Sequence, residues 1–408
     1  MKRLLCFAAS AAIALGTGGA AFAQHYVQKN LVANTAGVAP ITDPHLVNPW
    51  GLSRGSGTPW WVSDNVTGFS TLYNGAGAIQ SLVVTIPPTD PTNPKTPTGS
   101  PTGTIFNGSA TDFLLAPKTP AVFLFSTIDG TIVGWNPTVG VPPGGSPPST
   151  HAMTVARTKD GSSYTGLTSA FIHGKRYLYA ANFTKGRVDV YDNAFHLVKL
   201  GRNHHDRGDA DDFGFDDDRH RHDDNEPFED ERLPRNFVPF NVQSIGNDIV
   251  VTYALHLPGS PFETDGPGLG FVDIYSSSGK LLRRLEHGPW LNAPWGVALA
   301  PLDFGRFSHD LLIGQFAGGG TTQSSGYIAA YDMATGEFDG LLEDASGNPI
   351  AINGIWAISP GNVSPNNNDA AAAPATELYF TAGPNHGSGG LFGYLTAVPT
   401  ELVKGNDQ

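Results

Sequence analysis

Cysteine is almost missing: the 408 residues contain one, Cys6, and it lies within the first 23 residues. Without a second thiol there can be no disulfide, zinc ribbon, c-type haem attachment or cysteine nucleophile beyond that stretch. Charge is scarce too, at 15% of residues, and what there is leans acidic, with a formal net charge of −13 and a pI near 5.3. No basic stripe exists, so nucleic acid and anionic membrane surfaces are excluded as partners. Long apolar runs are likewise absent after residue 15, which leaves nothing of the ~18 residues a membrane helix needs. No segment sustains a 3.6-residue period over three turns, and helices are therefore not expected to build the fold.

Fifty Gly and 32 Pro are present instead, among many Val, Ile, Thr, Tyr and Phe. That mixture favours short strands joined by tight turns. The N-terminus has its own pattern: Lys2 and Arg3, an apolar run over 4–15, then Ala21-Phe22-Ala23 before Gln24. This is the three-part form of a secretory signal peptide, so residues 1–23 are set aside and the mature chain is expected to be secreted or periplasmic. Gln24 stands where lipoprotein processing would need cysteine.

The mature chain repeats. A glycine is followed five residues later by an aromatic at Gly68/Tyr73, Gly130/Trp135, Gly186/Tyr191, Gly270/Tyr275, Gly326/Tyr331 and Gly389/Tyr394, at intervals of 62, 56, 84, 56 and 63 residues. The long interval contains the biased stretch 203–230, 28 residues, whose removal restores an interval of 56. An apolar strand precedes each match (60–62, 122–125, 177–180, 249–253, 311–314, 378–381). A first strand rich in small residues precedes that one (50–53, 112–116, 167–171, 241–245, 295–300, 355–359). Four strands in six repeats predict an all-β fold: a single six-bladed β-propeller of four-stranded blades over residues 26–400. The strand-like segment 26–33 is expected to close the ring as the outer strand of the last blade, near 395–403.

Read together, NPWG, WWVSDN, STLYN, ANF, VPFNVQ, NAPWGVALAP, FTAGPN and GLFG resemble an uncharacterised family of secreted bacterial β-propeller proteins, some with a PEP-type C-terminal sorting signal. The resemblance spans nearly the whole mature chain and implies the propeller and its export, with no catalytic residues. The chain departs from it in the insertion 203–230 and in the ending GNDQ, which has no sorting helix.

Antiparallel order puts the residue before each innermost strand and the turn between the second and third strands on one face of the disc. Candidates on that face are Asn48, Asn241, Asn292 and Asn353, with Asp64, Asn65, Asp129, Asn182, Gln315, Asn385 and His386. Two readings compete for them. Their oxygens could hold Ca²⁺ or hydrogen-bond a sugar or lactone, or they could cap the tight turns in which they sit. Trp50, Trp295 and Trp356 could likewise stack on a ligand at the channel or fill its core. Gly51-Leu52-Ser53-Arg54-Gly55 matches the nucleophile-elbow spelling, but outside a strand-to-helix turn it carries no such meaning. Phosphate loops, dinucleotide fingerprints and HExxH do not occur.

In 203–230, His204, His205, His220 and His222 stand among ten Asp and two Glu, against three Arg, a net charge of −9. Such a stretch cannot support a core and is expected to be a disordered loop over the channel mouth. Its imidazoles could bind Ni²⁺, Cu²⁺ or Zn²⁺ and its carboxylates Ca²⁺, both weakly. The leading functional expectation is a ligand-binding or scaffold module for a small molecule, glycan or protein. The alternative is a metal-dependent hydrolase, lactonase or lyase with its site at the channel mouth.

Overall fold

A computed structural model describes residues 24–201, 226–316, 326–362 and 373–401. Six sheets of alternating antiparallel strands follow one another along the chain, and the inner strand of each packs against those of its two neighbours until the sixth meets the first. The result is the expected six-bladed β-propeller. The inner strands are Pro49–Ser53, Pro101–Phe106, Tyr164–Ile172, Phe237–Ile245, Pro294–Leu299 and Ile355–Pro360.

Closure works as the sequence suggested. Tyr26–Ala33 lies antiparallel to Leu391–Ala397 in the last blade, running from Tyr26 opposite Ala397 to Ala33 opposite Leu391, and Ile41–Thr42 adds a short parallel strand beyond it. Tyr26 also fastens this strand to blade 5: its hydroxyl donates to the Phe304 carbonyl at 2.9 Å and its ring lies 4.7 Å from that of Phe304.

The repeated glycines have two physical causes. Gly68, Gly130 and Gly186 take φ of +73°, +72° and +64° at the turn before the third strand, where a side chain would be strained. Gly270 and Gly326 instead leave room, since a Cβ would lie 2.3 Å from Pro294 Cδ at the first and 2.3 Å from the Gln315 carbonyl oxygen at the second. The aromatics five residues on are buried in five blades, whereas Tyr394 is half-exposed and carries Lys29 Nζ 5.6 Å from its ring centroid.

Every inner strand breaks its ladder at the same place. Pairing skips at Trp50, Thr102, Thr165, Phe240, Trp295 and Trp356, each a β-bulge that turns a side chain out of the pleat. Beside the bulge stands Gly51, Gly103, Gly166 or Gly296 in four blades, with Asn241 and Ala357 in the other two. Added methyl groups at Gly51, Gly103 and Gly296 would come 2.4 Å from the Thr102 carbonyl oxygen, 2.4 Å from the Leu167 nitrogen and 2.5 Å from the Trp356 carbonyl oxygen, all backbone atoms of the next blade.

Two expectations need correction. The inner strand of blade 2 is Pro101–Phe106 and not 112–116, which instead carries half of a small hairpin, Leu114–Ala116 with Thr119–Pro120. Phe113 there has φ of +61°, is buried, and donates its N–H to the Asn193 carbonyl of blade 3 at 2.9 Å, so this segment packs against the disc from outside. In five of the six blades a Gly or Ala directly follows the bulge, and Gly103 after Thr102 fits that pattern where Leu114 after Phe113 does not.

The second correction concerns the acidic stretch. Residues 202–225, with His204, His205, His220 and His222, lie outside the described residues. Its described end is not loose: Phe228 and Asp230 are buried, and the Phe228 N–H donates to the Gly279 carbonyl at 2.9 Å. Gly279 belongs to the turn between the third and outer strands of blade 4, so this end packs on the outer rim of that blade.

Gly51→Ala and Gly296→Ala should each destabilise the propeller by about 1–3 kcal/mol through forced contact between blades. Gly57→Ala, where a Cβ meets nothing within 4 Å, serves as the control. Chemical denaturation checks this; a Gly51→Ala midpoint equal to that of Gly57→Ala would show that the blades can shift apart freely.

Candidate functional site

The bulges decide what the channel contains. At its Asn/Asp end, Trp50 stacks on Trp356 with centroids 3.6 Å apart, and Trp295 stands edge-on to both at 6.0 and 5.7 Å. Phe316 stacks on Trp356 at 4.1 Å and Phe240 closes the group at 5.9 Å. The three tryptophans are 2–6% exposed, so they form a stopper and offer no open stacking surface at this end. Blades 2 and 3 place Thr102 and Thr165 at the bulge. That leaves space for the large rings, and the Trp295 Nε1–H crosses the axis to the Thr165 carbonyl at 2.9 Å.

Most of the polar candidates are occupied in holding the fold. Asn48, at φ +49°, accepts from the Trp356 Nε1–H at 2.9 Å, donates its backbone N–H to the Gly389 carbonyl and receives the Asn65 N–H on its own carbonyl. Its amide lies 3.5 Å from Asn65 Oδ1, and Asn65 in turn donates to the Pro101 carbonyl of blade 2 at 3.1 Å. Asn182 donates to Asp189 at 2.7 Å and to Ser162 at 2.8 Å, and Asn241 donates to the Trp295 carbonyl at 2.7 Å. Gln315 accepts the Asn292 N–H at 2.9 Å. Turn and bulge capping therefore accounts for Asn48, Asn65, Asn182, Asn241 and Gln315.

Asp64 is completely buried on the blade face it shares with Trp60 and Val62, and its Oδ2 accepts the Thr71 N–H at 3.1 Å. Burial holds its carboxyl well above the usual carboxylate range, and its complete burial keeps it out of the channel. Asn385 and His386 sit exposed in a left-handed turn, both at φ +55°. Asp129 accepts the Ser100 N–H at 3.0 Å at the junction of blades 1 and 2. Among the described residues, no three His, Cys, Asp or Glu side chains converge as metal ligands.

Beyond the stopper the channel opens at the opposite face as a cavity of about 320 Å³. Asn241 and Trp295 form part of its lining from the sequence-derived candidates. The rest was missed: Ser53, Thr104, Gln243, Ser244 and Ser359 from four inner strands, with Arg54 at the rim. The Arg54 guanidinium lies 5.4 Å from the Trp60 ring centroid. The signal available was a polar residue two or three places after the bulge in blades 1, 2, 4 and 6: Ser53, Thr104, Gln243 and Ser359.

One further group lies at the Asn/Asp face. The long turn 256–268 of blade 4 begins at His256, whose ring packs 4.4 Å from Phe183, itself 5.5 Å from Phe240 of the stopper. In this turn burial pushes the Glu263 carboxyl up to about 7, with the charge of Asp265 adding to the effect.

No protein-family profile matches the chain. Two uncharacterised proteins of Acanthamoeba polyphaga mimivirus are 27% identical over 374 residues (90% of this chain, 78% of the viral protein) and 26% identical over 384 residues (90% and 84%). These relatives are viral, and nothing in them ties the chain to a bacterial secreted family. Among solved structures, streptogramin B lyase is 10% identical at a TM-score of 0.45, covering 93% of this chain and 99% of its own. The apo soluble aldose sugar dehydrogenase of Escherichia coli is 12% identical at 0.49, covering 91% and 99%. A protein of unknown function from Bacteroides thetaiotaomicron stands at 9% and 0.49, covering 92% and 76%. At these scores the likenesses carry no argument, and the fold rests on the six sheets themselves.

Proposed function

We propose that the protein is a secreted binding propeller that takes a small, uncharged, partly polar ligand such as a sugar or lactone into the central channel from the face opposite the Asn/Asp turns. The observation that carries this reading is the asymmetry of the channel: a tryptophan stopper at one end and a cavity of about 320 Å³ at the other. That volume is at the lower end of the range for small-molecule sites. Its walls combine Leu52, Ile105, Val297 and Ile358 with Ser, Thr and Gln donors. Apolar contact with a few placed hydrogen bonds suits a neutral ligand.

Trp295 at the cavity floor makes binding readable. Titration of neutral monosaccharides and lactones should change the tryptophan emission of the wild type. Ser244→Phe, which fills the channel from its open end, should weaken the response about tenfold or more while leaving the melting temperature within a few degrees. An undiminished response in Ser244→Phe would move the site elsewhere.

Export rests on the N-terminal pattern of 1–23. Expressed in a bacterial host with an intact secretion system, the mature protein should begin at Gln24 by N-terminal sequencing; a chain retained whole in the cytoplasm would refute secretion.

A hydrolase or lyase is the second reading, and Glu263 is what favours it. A carboxyl that titrates near pH 7 can both take and give a proton under ordinary conditions. If that role is real, Glu263→Gln should lower lactone turnover about 100-fold or more without changing ligand affinity in the channel. Equal turnover by the two proteins would remove Glu263 from the chemistry, and no turnover by the wild type would leave binding as the whole activity.

A further inference from the structure

The described end of the acidic insertion is attached to blade 4 by an arrangement that no turn or core requirement explains. Phe228 inserts between Tyr179 of blade 3 and Tyr275 of blade 4, with centroids 5.6 and 5.5 Å away. Pro227 lies over Gly279, where a Cβ would come within 2.5 Å of it. Two residues on, Asp230 makes a two-pronged contact with Arg284 of the outer strand, at 2.6 Å to Nε and 2.5 Å to Nη2. A second carboxyl, Asp273 of the third strand, is 2% exposed beside this pair and accepts from the Tyr275 hydroxyl at 3.3 Å, which in turn meets the Tyr253 hydroxyl at 2.7 Å. Two buried carboxyls therefore share one guanidinium.

We propose that Asp230 and Asp273 act as a proton-sharing latch that holds residues 226–234 on the rim of blade 4 in mildly acid solution and releases them as the pH rises past neutrality. The charged and titratable groups facing the pair are Arg284 from the outer strand, Tyr275 from the third, Tyr253 from the second, and each carboxyl to the other. From blade 3 the neighbouring side is aromatic, through Tyr179. With one cation for two acids, the site is neutral only while one acid keeps its proton.

The direction of the effect follows from which carboxyl keeps it. Burial, together with the charge of Asp230, pushes Asp273 up to about 7 from an ordinary 3.8. Burial alone would raise Asp230 too, but Arg284 holds it below its ordinary value. Once the segment leaves, Asp273 loses part of its burial and the charge of Asp230, and its carboxyl falls back toward its ordinary value, so the latch weakens as pH rises toward about 7 and is lost through it. At the acid end it survives until Asp230 is protonated, below the ordinary carboxylate range. The latched residues 226–229 also form one wall of a cavity of about 580 Å³ against the third and outer strands of blade 3, so release would remove that wall.

Hydrogen exchange of the full chain tests the latch, with protection corrected for the intrinsic effect of pH. Peptides covering 226–236 should lose about tenfold protection between about pH 6 and pH 8 in the wild type, as expected when the pH passes one unit beyond the titration point. Asp273→Asn, neutral at both pH values, should keep its protection, and peptides from Asp248–Leu255 should not change in either protein. Constant protection in the wild type, or an equal loss in Asp273→Asn, overturns the proposal. Should Asp273→Asn fail to fold, the pH 6 minus pH 8 infrared difference spectrum of Glu263→Gln/Asp310→Asn decides the matter, since this variant lacks the two other carboxyls pushed up to about 7. The band of one protonated buried carboxyl should remain in that difference, and its absence also overturns the latch.

Discussion

Six inner strands converge on one axis, and the space where they meet holds only a few large side chains. The bulge in each strand meets this crowding by turning one residue out of the ladder, and the six residues so turned are four aromatics and two threonines. Aromatic rings from blades 1, 4, 5 and 6 fill the axis because blades 2 and 3 yield it. The glycines beside the bulges have a matching cause, since the backbone of each neighbouring blade sits where a methyl group would stand. Core packing, blade spacing and a one-ended channel all follow from this single layer.

The same layer explains why the Asn-rich face is structural. A bulge leaves backbone groups without ladder partners, and buried amide or carbonyl groups without partners are costly. Short amide side chains at the blade junctions supply those partners: Asn241 reaches the Trp295 carbonyl, Asn65 reaches the Pro101 carbonyl, and Asn48 takes the Trp356 indole N–H. Their chemistry is that of sugar or cation recognition, but each already bonds to a neighbouring blade. The polar groups that line the open cavity lie at the other ends of the inner strands and also bond within the fold, Ser53 to the Phe106 N–H and Thr104 to the Leu124 carbonyl.

Much of the propeller was legible because its repeat is written in residues with strong conformational demands. Gly68, Gly130 and Gly186 mark left-handed turns, and the aromatics five residues later are mostly core; neither depends on distant sequence. Blade 2 was misread where a Pro- and Thr-rich run hides Pro101-Thr102-Gly103, although Pro49-Trp50-Gly51 and Pro294-Trp295-Gly296 spell the same start. The channel lining was harder to find, because Ser53, Gln243, Ser244 and Ser359 are common residues that acquire meaning only when six strands bring them together. Asp230 was hidden by its company: nine other aspartates in the same stretch suggested solvent, while its partner Arg284 lies 54 residues away.

The strand Tyr26–Ala33 pairs with Leu391–Ala397, the two being nearly the full length of the propeller apart in sequence. On a ribosome, the first strand to emerge therefore waits for the last. Until then blade six has neither of its outer partners and the early strand presents unpaired N–H and C=O groups, the kind of edge that joins other chains. The search for this one pairing is the step with the greatest loop to close. A chain built this way favours keeping Tyr26–Ala33 unpaired until residues 391–397 have emerged, and chaperone capture of that single strand would suffice to keep it so.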